Sequence, residues 1–300
     1  MGSSANKLNM REMQVIKDNF SCVNSIIFLS DGRLASCSND NEIRIYSIID
    51  IIHCDFSIRY NSFDLCEIEK GKLLSCSYRS KEIFNIFPAK YETNFTFKDA
   101  HESQINQVII ITNNRIASCS NDTTIKIWNN HYPYRLIKTL IGHTKEITSI
   151  MQLKEKEIII SGTEKYELYI WNSSSYQCIT IIKQIKCFYK NTILQIDNHR
   201  VIIGSYQMIL ILNVDKGIIE GIKMIGTINS IYSLLMINDN YLLCGDSAGL
   251  ILKYNIMETI FNKGQKVHQS EVTGLIKINE HQFISSSWDY IIKIWNIDNT

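Results

Sequence analysis

The chain has little proline, little glycine and no excess of charge of either sign. Its 300 residues include 2 prolines and 13 glycines, which excludes collagen-like and linker-rich architectures. Lys and Arg number 31 against 30 Asp and Glu, so a net charge of +1 gives no bulk electrostatic reason to bind nucleic acid or an anionic membrane. No apolar run approaches the roughly 18 residues that span a bilayer, and the polar N-terminus lacks an apolar signal segment. These absences predict a soluble cytoplasmic chain, with the nucleus as the alternative location.

Paired cysteines are missing as well. The nine cysteines are an odd number, form no Cys-x-x-Cys pair and do not lie near a histidine at zinc-finger spacing. Cys37, Cys76, Cys119 and Cys244 lie within apolar runs, where a thiol behaves as a small buried hydrophobe. The sequence also contains no His-Glu-x-x-His and no glycine-rich phosphate loop. We therefore expect reduced packing cysteines, no metal and no cofactor.

An internal repeat runs through the chain. The strings SCSNDNEIRIYS, SCSNDTTIKIWN, SGTEKYELYIWN and SSSWDYIIKIWN share one pattern, and three weaker copies complete it. Each copy closes on a large residue, and successive closing residues are 41 to 43 positions apart. The closing residues are Tyr46, Phe87, Trp128, Trp171, Leu212, Tyr254 and Trp295. Seven units of this period account for nearly the whole chain.

Each unit has the pattern of four short strands. In the third unit the β-branched runs 105–111, 115–120, 124–128 and 134–140 are separated by Asn-rich turn signals. Four strands per unit, repeated seven times, predict an all-β fold: a seven-bladed β-propeller of four-stranded antiparallel blades. We expect a flexible tail over residues 1–11 and one propeller over 12–300. Because the last unit lacks an outer strand, residues 12–17 are predicted to supply it and close the ring.

The repeat resembles the WD-repeat family, the G-protein beta-subunit-like propellers, over roughly residues 13–300. The resemblance rests on the Ile-x-Ile-Trp endings, on a Ser-x-x-x-Asp spacing before them, and on a histidine 27 or 28 residues before the tryptophan. The chain departs from the family because its repeats end in Trp-Asn, and its single Trp-Asp dipeptide falls at a turn. No specific member of the family is identified.

Polar residues that recur with the repeat are expected to be structural. The resemblance implies that His, Ser, Asp and Trp of one unit form a hydrogen-bonded chain that ties its loops and strands together. The complete sets are His101, Ser118, Asp122 and Trp128, and His268, Ser285, Asp289 and Trp295; an incomplete set is His143, Ser161 and Trp171. Lys165 stands where the incomplete set should have its aspartate, and Ala248 stands there in unit six. A catalytic triad needs one such set in a cleft, so recurrence at the repeat period argues against an enzyme.

Candidate binding residues lie in the turns between the second and third strands. In the resembled family these turns lie on the top face of the ring, around a narrow channel. Trp288 is the strongest candidate, because an exposed turn tryptophan has no evident packing role and tryptophan is enriched at binding hot spots. The alternative is that Trp288 folds back onto a neighbouring blade. Weaker candidates are Tyr78, Arg79, Tyr166 and Tyr206.

The resemblance implies a non-catalytic scaffold or adaptor that binds proteins or peptides on its top face, as a monomeric propeller within a complex. One alternative is a subunit of a larger assembly, such as a ubiquitin ligase receptor or a trafficking or ciliary complex. The Asp-x-Arg that follows the repeat tryptophan in some ligase receptors is absent here, which favours a stand-alone adaptor. Phosphoinositide or RNA binding is a further alternative, although the chain has no Arg-Arg pair.

Overall fold

Short β-branched runs between Asn, Asp and Gly turns fold this chain into antiparallel strands. The computed structural model describes residues 10–48, 53–77, 81–87, 92–97, 99–185, 189–225, 229–258, 260–261 and 264–297. Tyr78 and Arg79 therefore lie outside the described residues. The described part consists of strands and turns, and it contains no helix long and apolar enough to cross a bilayer.

The strands group into seven sheets, which are the seven blades of a propeller. The first strand, β1 (Met10–Ile16), belongs to the last blade. Blade one contains β2 (Val23–Phe28), β3 (Leu34–Ser38), β4 (Glu42–Ser47) and β5 (His53–Arg59). Blade two contains β6 (Asp64–Glu69), β7 (Lys72–Cys76), β8 (Ile83–Phe87) and β9 (Glu92–Phe97). Blade three contains β10 (Ile105–Ile111), β11 (Arg115–Ser120), β12 (Ile125–Asn129) and β13 (Leu136–Leu140). Blades four and five contain β14 (Ile147–Gln152), β15 (Ile158–Thr163), β16 (Glu167–Asn172) and β17 (Cys178–Lys183); and β18 (Ile193–Gln195), β19 (Arg200–Gly204), β20 (Met208–Asn213) and β21 (Ile218–Met224). Blades six and seven contain β22 (Ile231–Asn238), β23 (Tyr241–Asp246), β24 (Leu250–Asn255), β25 (Ile260–Phe261) and β26 (Gln265–Lys266); and β27 (Val272–Asn279), β28 (Gln282–Ser287) and β29 (Ile292–Ile297).

The predicted fold class is confirmed, including the way the ring closes. β1 pairs antiparallel with β29 and completes blade seven. It begins at Met10, two residues before the sequence pattern places it. In blade three, β10 and β11 match the predicted bounds, whereas the outer strand begins two residues late, at Leu136. Blade six departs from four regular strands, because β25 and β26 both pair with β24 in the outer position.

The hydrophobic core lies between the blades. Seven buried clusters occur, and each combines side chains of two neighbouring blades. Every sheet therefore packs on both of its faces, which explains the isoleucine-rich strands that show no clear polar face. The eight cysteines in the described part are free, and burial raises the pKa of the Cys37 thiol to about 11.

Polar side chains of the inner strands add hydrogen bonds between consecutive blades. Their partners are mostly backbone groups, so a side chain of one blade fixes the position of the next strand in the ring. These bonds join Thr273 to Val23, Ser25 to Asp64, Asp64 to Val108, Gln107 to Ile150 and Ser233 to Val272. The ring is thus a rigid frame whose two ends carry the turns.

Candidate functional site

A segment of blade five crosses the central channel at the top face. We call residues 189–192 the strap; they precede β18, which has only 3 residues because the strap leaves the blade. Tyr189 Oη donates a hydrogen bond to the backbone carbonyl of Asn24 in blade one, at 3.0 Å. Lys190 Nζ reaches blade two, where it donates to the carbonyl of Phe63 and to Asp64. The strap therefore joins opposite sides of the ring.

Lys190 forms the buried anchor of the strap. Lys190 is 1% exposed, and its ammonium lies 2.8 Å from Asp64 Oδ1 and 4.6 Å from the centre of the Phe63 ring. Asp64 also accepts hydrogen bonds from Ser25 Oγ and from the backbone N–H of Val108. A buried ammonium is tolerated only when it is paired and hydrogen-bonded, and here the carboxylate, a carbonyl and an aromatic face meet both needs.

Three aromatic side chains surround Tyr189 of the strap and form with it what we call the aromatic cap: Phe63, Tyr189, Tyr232 and Trp288. Tyr189 is at its centre, with ring-centroid distances of 5.9 Å to Phe63, 5.4 Å to Tyr232 and 6.0 Å to Trp288. Burial raises the pKa of Tyr189 well above its usual value. Burial, with Glu271 and Glu164 nearby, raises the pKa of Tyr232 to about 12. Both phenols are therefore neutral near pH 7.

Trp288 is not the freely exposed turn residue that its position suggests. Its side chain is half-buried and packs edge-on against Tyr189 of blade five and Tyr232 of blade six, 5.8 Å from the latter. This is the alternative in which the side chain folds onto its neighbours. Its indole Nε1 is buried, and its N–H acts as a donor toward the Tyr189 hydroxyl, which partly offsets the rise that burial causes in the pKa of Tyr189. The Trp288 ring is therefore held by the strap, and its half-exposed surface lies at the mouth of the channel.

Two other candidates from the sequence stand on the same face and remain exposed. Tyr166 is 52% exposed and Tyr206 is 45% exposed. Tyr290, which sequence reasoning missed, occupies the turn position of blade seven that corresponds to Tyr166 in blade four. Both have a positive φ, 71° for Tyr166 and 74° for Tyr290, a conformation that is costly for a bulky residue. Aligning the turns of the two blades would have identified Tyr290.

The channel beside the strap contains a cavity of about 500 Å³. Its polar lining includes Ser25, Asp64 and Gln107, whose side chains are already hydrogen-bonded to neighbouring blades. Among the residues that the structure describes, no group of three His, Cys, Asp or Glu side chains could hold a metal ion.

The repeated polar set of blade three forms a continuous hydrogen-bonded chain. His101 Nδ1 lies 2.8 Å from Asp122, its Nε2 lies 2.7 Å from Ser118 Oγ, and the indole of Trp128 donates to that same oxygen at 3.0 Å. Because the carboxylate can only accept, Nδ1 carries the proton and Nε2 accepts from the hydroxyl. Burial lowers the pKa of His101, which is therefore neutral near pH 7. Burial acts to raise the pKa of Asp122, but the hydrogen bonds from His101 and Thr124 outweigh it and hold that pKa well below its usual range.

Blade seven repeats this geometry. His268 lies 2.9 Å from Asp289 and 2.8 Å from Ser285, and Trp295 donates to Ser285 at 2.8 Å. In both blades the aspartate also accepts a backbone N–H from the loop that leads into the inner strand, at Glu102 and Gln269. The serine side chains are fully buried, and each set holds a loop to its blade.

Blade four supplies an acid from a position where the sequence spacing does not predict one. His143, Ser161 and Trp171 bond as in the other blades, at 2.7 and 2.8 Å. Lys165 is not part of the set: it pairs with Glu146 on the surface. Glu167, two residues further on, accepts from the backbone N–H of Thr144 at 3.0 Å and lies 3.5 Å from His143 Nδ1. Burial lowers the pKa of His143 to about 4.

Blade six shows a second replacement. Asp246, two residues before Ala248, is fully buried and accepts from the Asn229 side chain at 2.8 Å. It also accepts the backbone N–H groups of Ala248 and Leu250. Neither acid is predicted from the sequence, because each lies two residues from the offset that the aspartates of blades three and seven share.

We expect Glu167→Ala to lower the free energy of unfolding by about 1–3 kcal/mol, because it leaves the Thr144 N–H without its acceptor and removes the carboxylate from His143. The matched variant Lys165→Ala removes only an exposed ion pair and should cost less than about 1 kcal/mol. Urea denaturation of both variants measures the two values. Equal losses would show that Glu167 has no part in the set.

Three stretches of the chain, residues 11–47, 92–129 and 262–296, match the family described as WD domain, G-beta repeat. DDB1- and CUL4-associated factor 10 of Homo sapiens is 24% identical over 154 residues, which are 49% of this chain and 28% of the human protein. The protein of the same name from Xenopus tropicalis is 24% identical over 152 residues, 49% of this chain and 33% of that protein. Nuclear distribution protein nudF 1 of Talaromyces marneffei is 32% identical over 68 residues, 23% of this chain and 15% of that protein. The matched stretches thus span a third or less of each of these relatives.

Proposed function

Because this chain belongs to the WD-repeat family of seven-bladed propellers, we propose that it is a protein-interaction scaffold whose top face binds a partner through the aromatic cap. The fold supports a scaffold, since a rigid ring of blades presents loops that lose little entropy on binding. The choice of the top face rests on the aromatic cap, because the fold alone does not determine which face binds a partner.

The half-exposed indole ring of Trp288, packed on the strap at the mouth of the channel, is the observation that carries this proposal. Covering the exposed part of a large aromatic ring with a partner is favourable. The ring is already held by its neighbours, so it loses little freedom on binding. Tyr232 lies against the same indole, and Tyr166 and Tyr206 add exposed aromatic surface on the same face. Tryptophan and tyrosine in such a setting are typical of interface hot spots.

The proposal assigns no catalysis to the chain. The residues that resemble a triad are the buried Ser, His and Asp sets, and in blades three and seven both ring nitrogens of each histidine are bonded to the serine and aspartate of the same set. A partner that binds at the cap is held by contact and hydrogen bonding alone.

Membership of a ubiquitin ligase complex is a second candidate function. The human and frog relatives are named for an association with DDB1 and CUL4, and their similarity extends over about half of this chain. Co-precipitation of DDB1 and CUL4 from cells that express the tagged chain would support this candidate. Purification of the chain without either protein would reject it.

We expect Trp288→Ala to lower the capture of partner proteins by at least about 10-fold, because truncating a central aromatic anchor costs about 2 kcal/mol or more. The measurement is affinity capture with the tagged full chain, followed by quantitative mass spectrometry. Tyr132→Ala is the matched control, since Tyr132 is 67% exposed and lies in the turn between β12 and β13, at the opposite end of the ring.

The exposed variants Tyr166→Ala and Tyr206→Ala test the face if Trp288→Ala also lowers the melting temperature. Neither side chain is buried in the core, so we expect both variants to fold as the parent chain does. Unchanged capture by all three top-face variants would contradict the proposal.

A further inference from the structure

The outer strands of blades three, four and five carry an unusual amount of exposed apolar surface. On β13, β17 and β21, eight aliphatic side chains are each 36 to 57% exposed. We call them the apolar rim: Leu136, Ile137, Ile179, Ile181, Ile218, Ile219, Ile222 and Met224. The outer strand of blade one differs, because its exposed residues are the polar Asp55, Ser57 and Arg59. The rim is therefore not a feature of every blade.

The part of the rim on blade four meets the part on blade five. A Cβ on Gly217, in the turn that leads into β21, would lie 3.1 Å from Thr180 of β17, so the outer edges of blades four and five touch. Ile182 of β17 packs against the core shared with blade five. Leu140 of β13 belongs to the core shared with blade four. Contiguous exposed apolar surface on this scale is typical of an interaction site.

The rim also has unpaired backbone. Each of the three strands pairs on one side only, with β12, β16 and β20 respectively. The other edge of each strand presents its N–H and C=O groups outward. An exposed apolar edge without proline is the kind of edge to which an extended chain adds as a further strand.

Charge distinguishes the rim from the rest of the chain. Its strands and their adjoining residues carry five basic side chains and one acid, although the whole chain is balanced at 31 to 30. Among the described residues only Lys216 is paired, with Glu220 at 3.5 Å. The other basic residues are Arg135, Lys138, Lys183 and Lys223. The partner that complements this surface is therefore acidic.

We propose that the apolar rim binds an extended segment of a partner protein in which aliphatic residues are interspersed with Asp or Glu, added as a strand to β17 or β21. A second copy of this chain would bring one basic rim against another and gain less. An anionic bilayer would leave the strand edges without hydrogen-bond partners. This site is separate from the aromatic cap.

The test is selection of a displayed library of random 12-residue peptides on the folded full chain. Parallel selections use Ile222→Asp, Ile181→Asp, Trp288→Ala and the control Ile260→Asp, since Ile260 is 56% exposed on the outer strand of blade six. We expect a class of peptides enriched in Asp, Glu and aliphatic residues that loses at least 10-fold in recovery on the two rim variants. That class should be retained on Trp288→Ala and on Ile260→Asp.

The charge is tested on the same peptides. The double variant Lys183→Glu, Lys223→Glu should weaken their binding at least 5-fold, and 0.5 M NaCl should weaken it as well. Peptides dependent on the rim but enriched in Lys and Arg would overturn the proposal. So would a parent chain that dimerises in sedimentation while Ile222→Asp does not, or one that binds phosphatidylserine vesicles through the rim. The proposal is also overturned if no class of peptides loses recovery on the rim variants. If peptides lose recovery only on Trp288→Ala, the rim proposal is wrong and only the aromatic cap proposal is retained.

Discussion

Lys190→Met is expected to lower the free energy of unfolding by about 3–5 kcal/mol, because it leaves the Asp64 carboxylate buried without its counter-charge. Lys190 is the only residue of the strap that places a charge in the channel, and its ammonium lies 2.8 Å from Asp64. The variant also removes the bond to the Phe63 carbonyl. Chemical denaturation followed by tryptophan fluorescence measures the loss.

Two further variants separate the buried pair from a general effect of removing lysine. Lys156→Met breaks a partly exposed pair with Asp215, which has an N–O distance of 2.6 Å, and should cost less than about 1 kcal/mol. Asp64→Asn added to Lys190→Met removes the unpaired charge; the amide oxygen can accept from the Val108 N–H, and the amide NH2 can donate to the Ser25 hydroxyl, which is also an acceptor. The double variant should therefore be more stable than Lys190→Met alone. If Lys190→Met costs no more than Lys156→Met, the strap does not brace the ring.

Deleting residues 1–17 is expected to lower the melting temperature by at least about 10 °C or to give an aggregating chain. The deletion removes β1, which pairs with β29 and places Met10 in the core between blades six and seven and Ile16 in the core between blades seven and one. Burial of two aliphatic side chains contributes about 3–6 kcal/mol of transfer free energy. The backbone hydrogen bonds between β1 and β29 are lost in addition. The exposed edge of β29 would then be open to pairing with other chains.

Deletion of residues 1–9 is the matched control for the closing strand, because it leaves β1 intact. We expect its melting temperature to equal that of the full chain within about 2 °C. Differential scanning calorimetry of the two truncations decides the matter. If both truncations melt alike, closure by β1 contributes nothing to stability.

The repeat period was sufficient to predict the architecture, because the same pattern of strands and turns recurs seven times. Spacing of the closing residues identified the blades, and the missing outer strand of the last unit identified β1 as its complement. Local turn signals placed β10 and β11 at their observed bounds. Each of these inferences depends on residues close together in the chain or related by the period.

The strap could not be predicted from the sequence, because its contacts are neither local nor periodic. Lys190 and Asp64 are 126 residues apart, and only closure of the ring brings them together. One signal was available: Lys190 occupies the position that Val23, Ile105 and Ile147 hold in their own blades. A lysine at a buried position of a repeat indicates a buried partner, although the sequence does not show which acid it is. Trp288 was placed on the correct turn, but its packing depends on Tyr189 of the strap.

Site-specific photocrosslinking tests the interaction face most directly. A benzophenone side chain replaces Tyr206 on the top face in one sample and Tyr132 at the opposite end in another, both being exposed tyrosines. Irradiation in cells should give covalent partner adducts from position 206, and these should disappear when Trp288→Ala is added. Adducts from position 132 alone, or adducts from position 206 that persist in Trp288→Ala, would contradict binding through the aromatic cap.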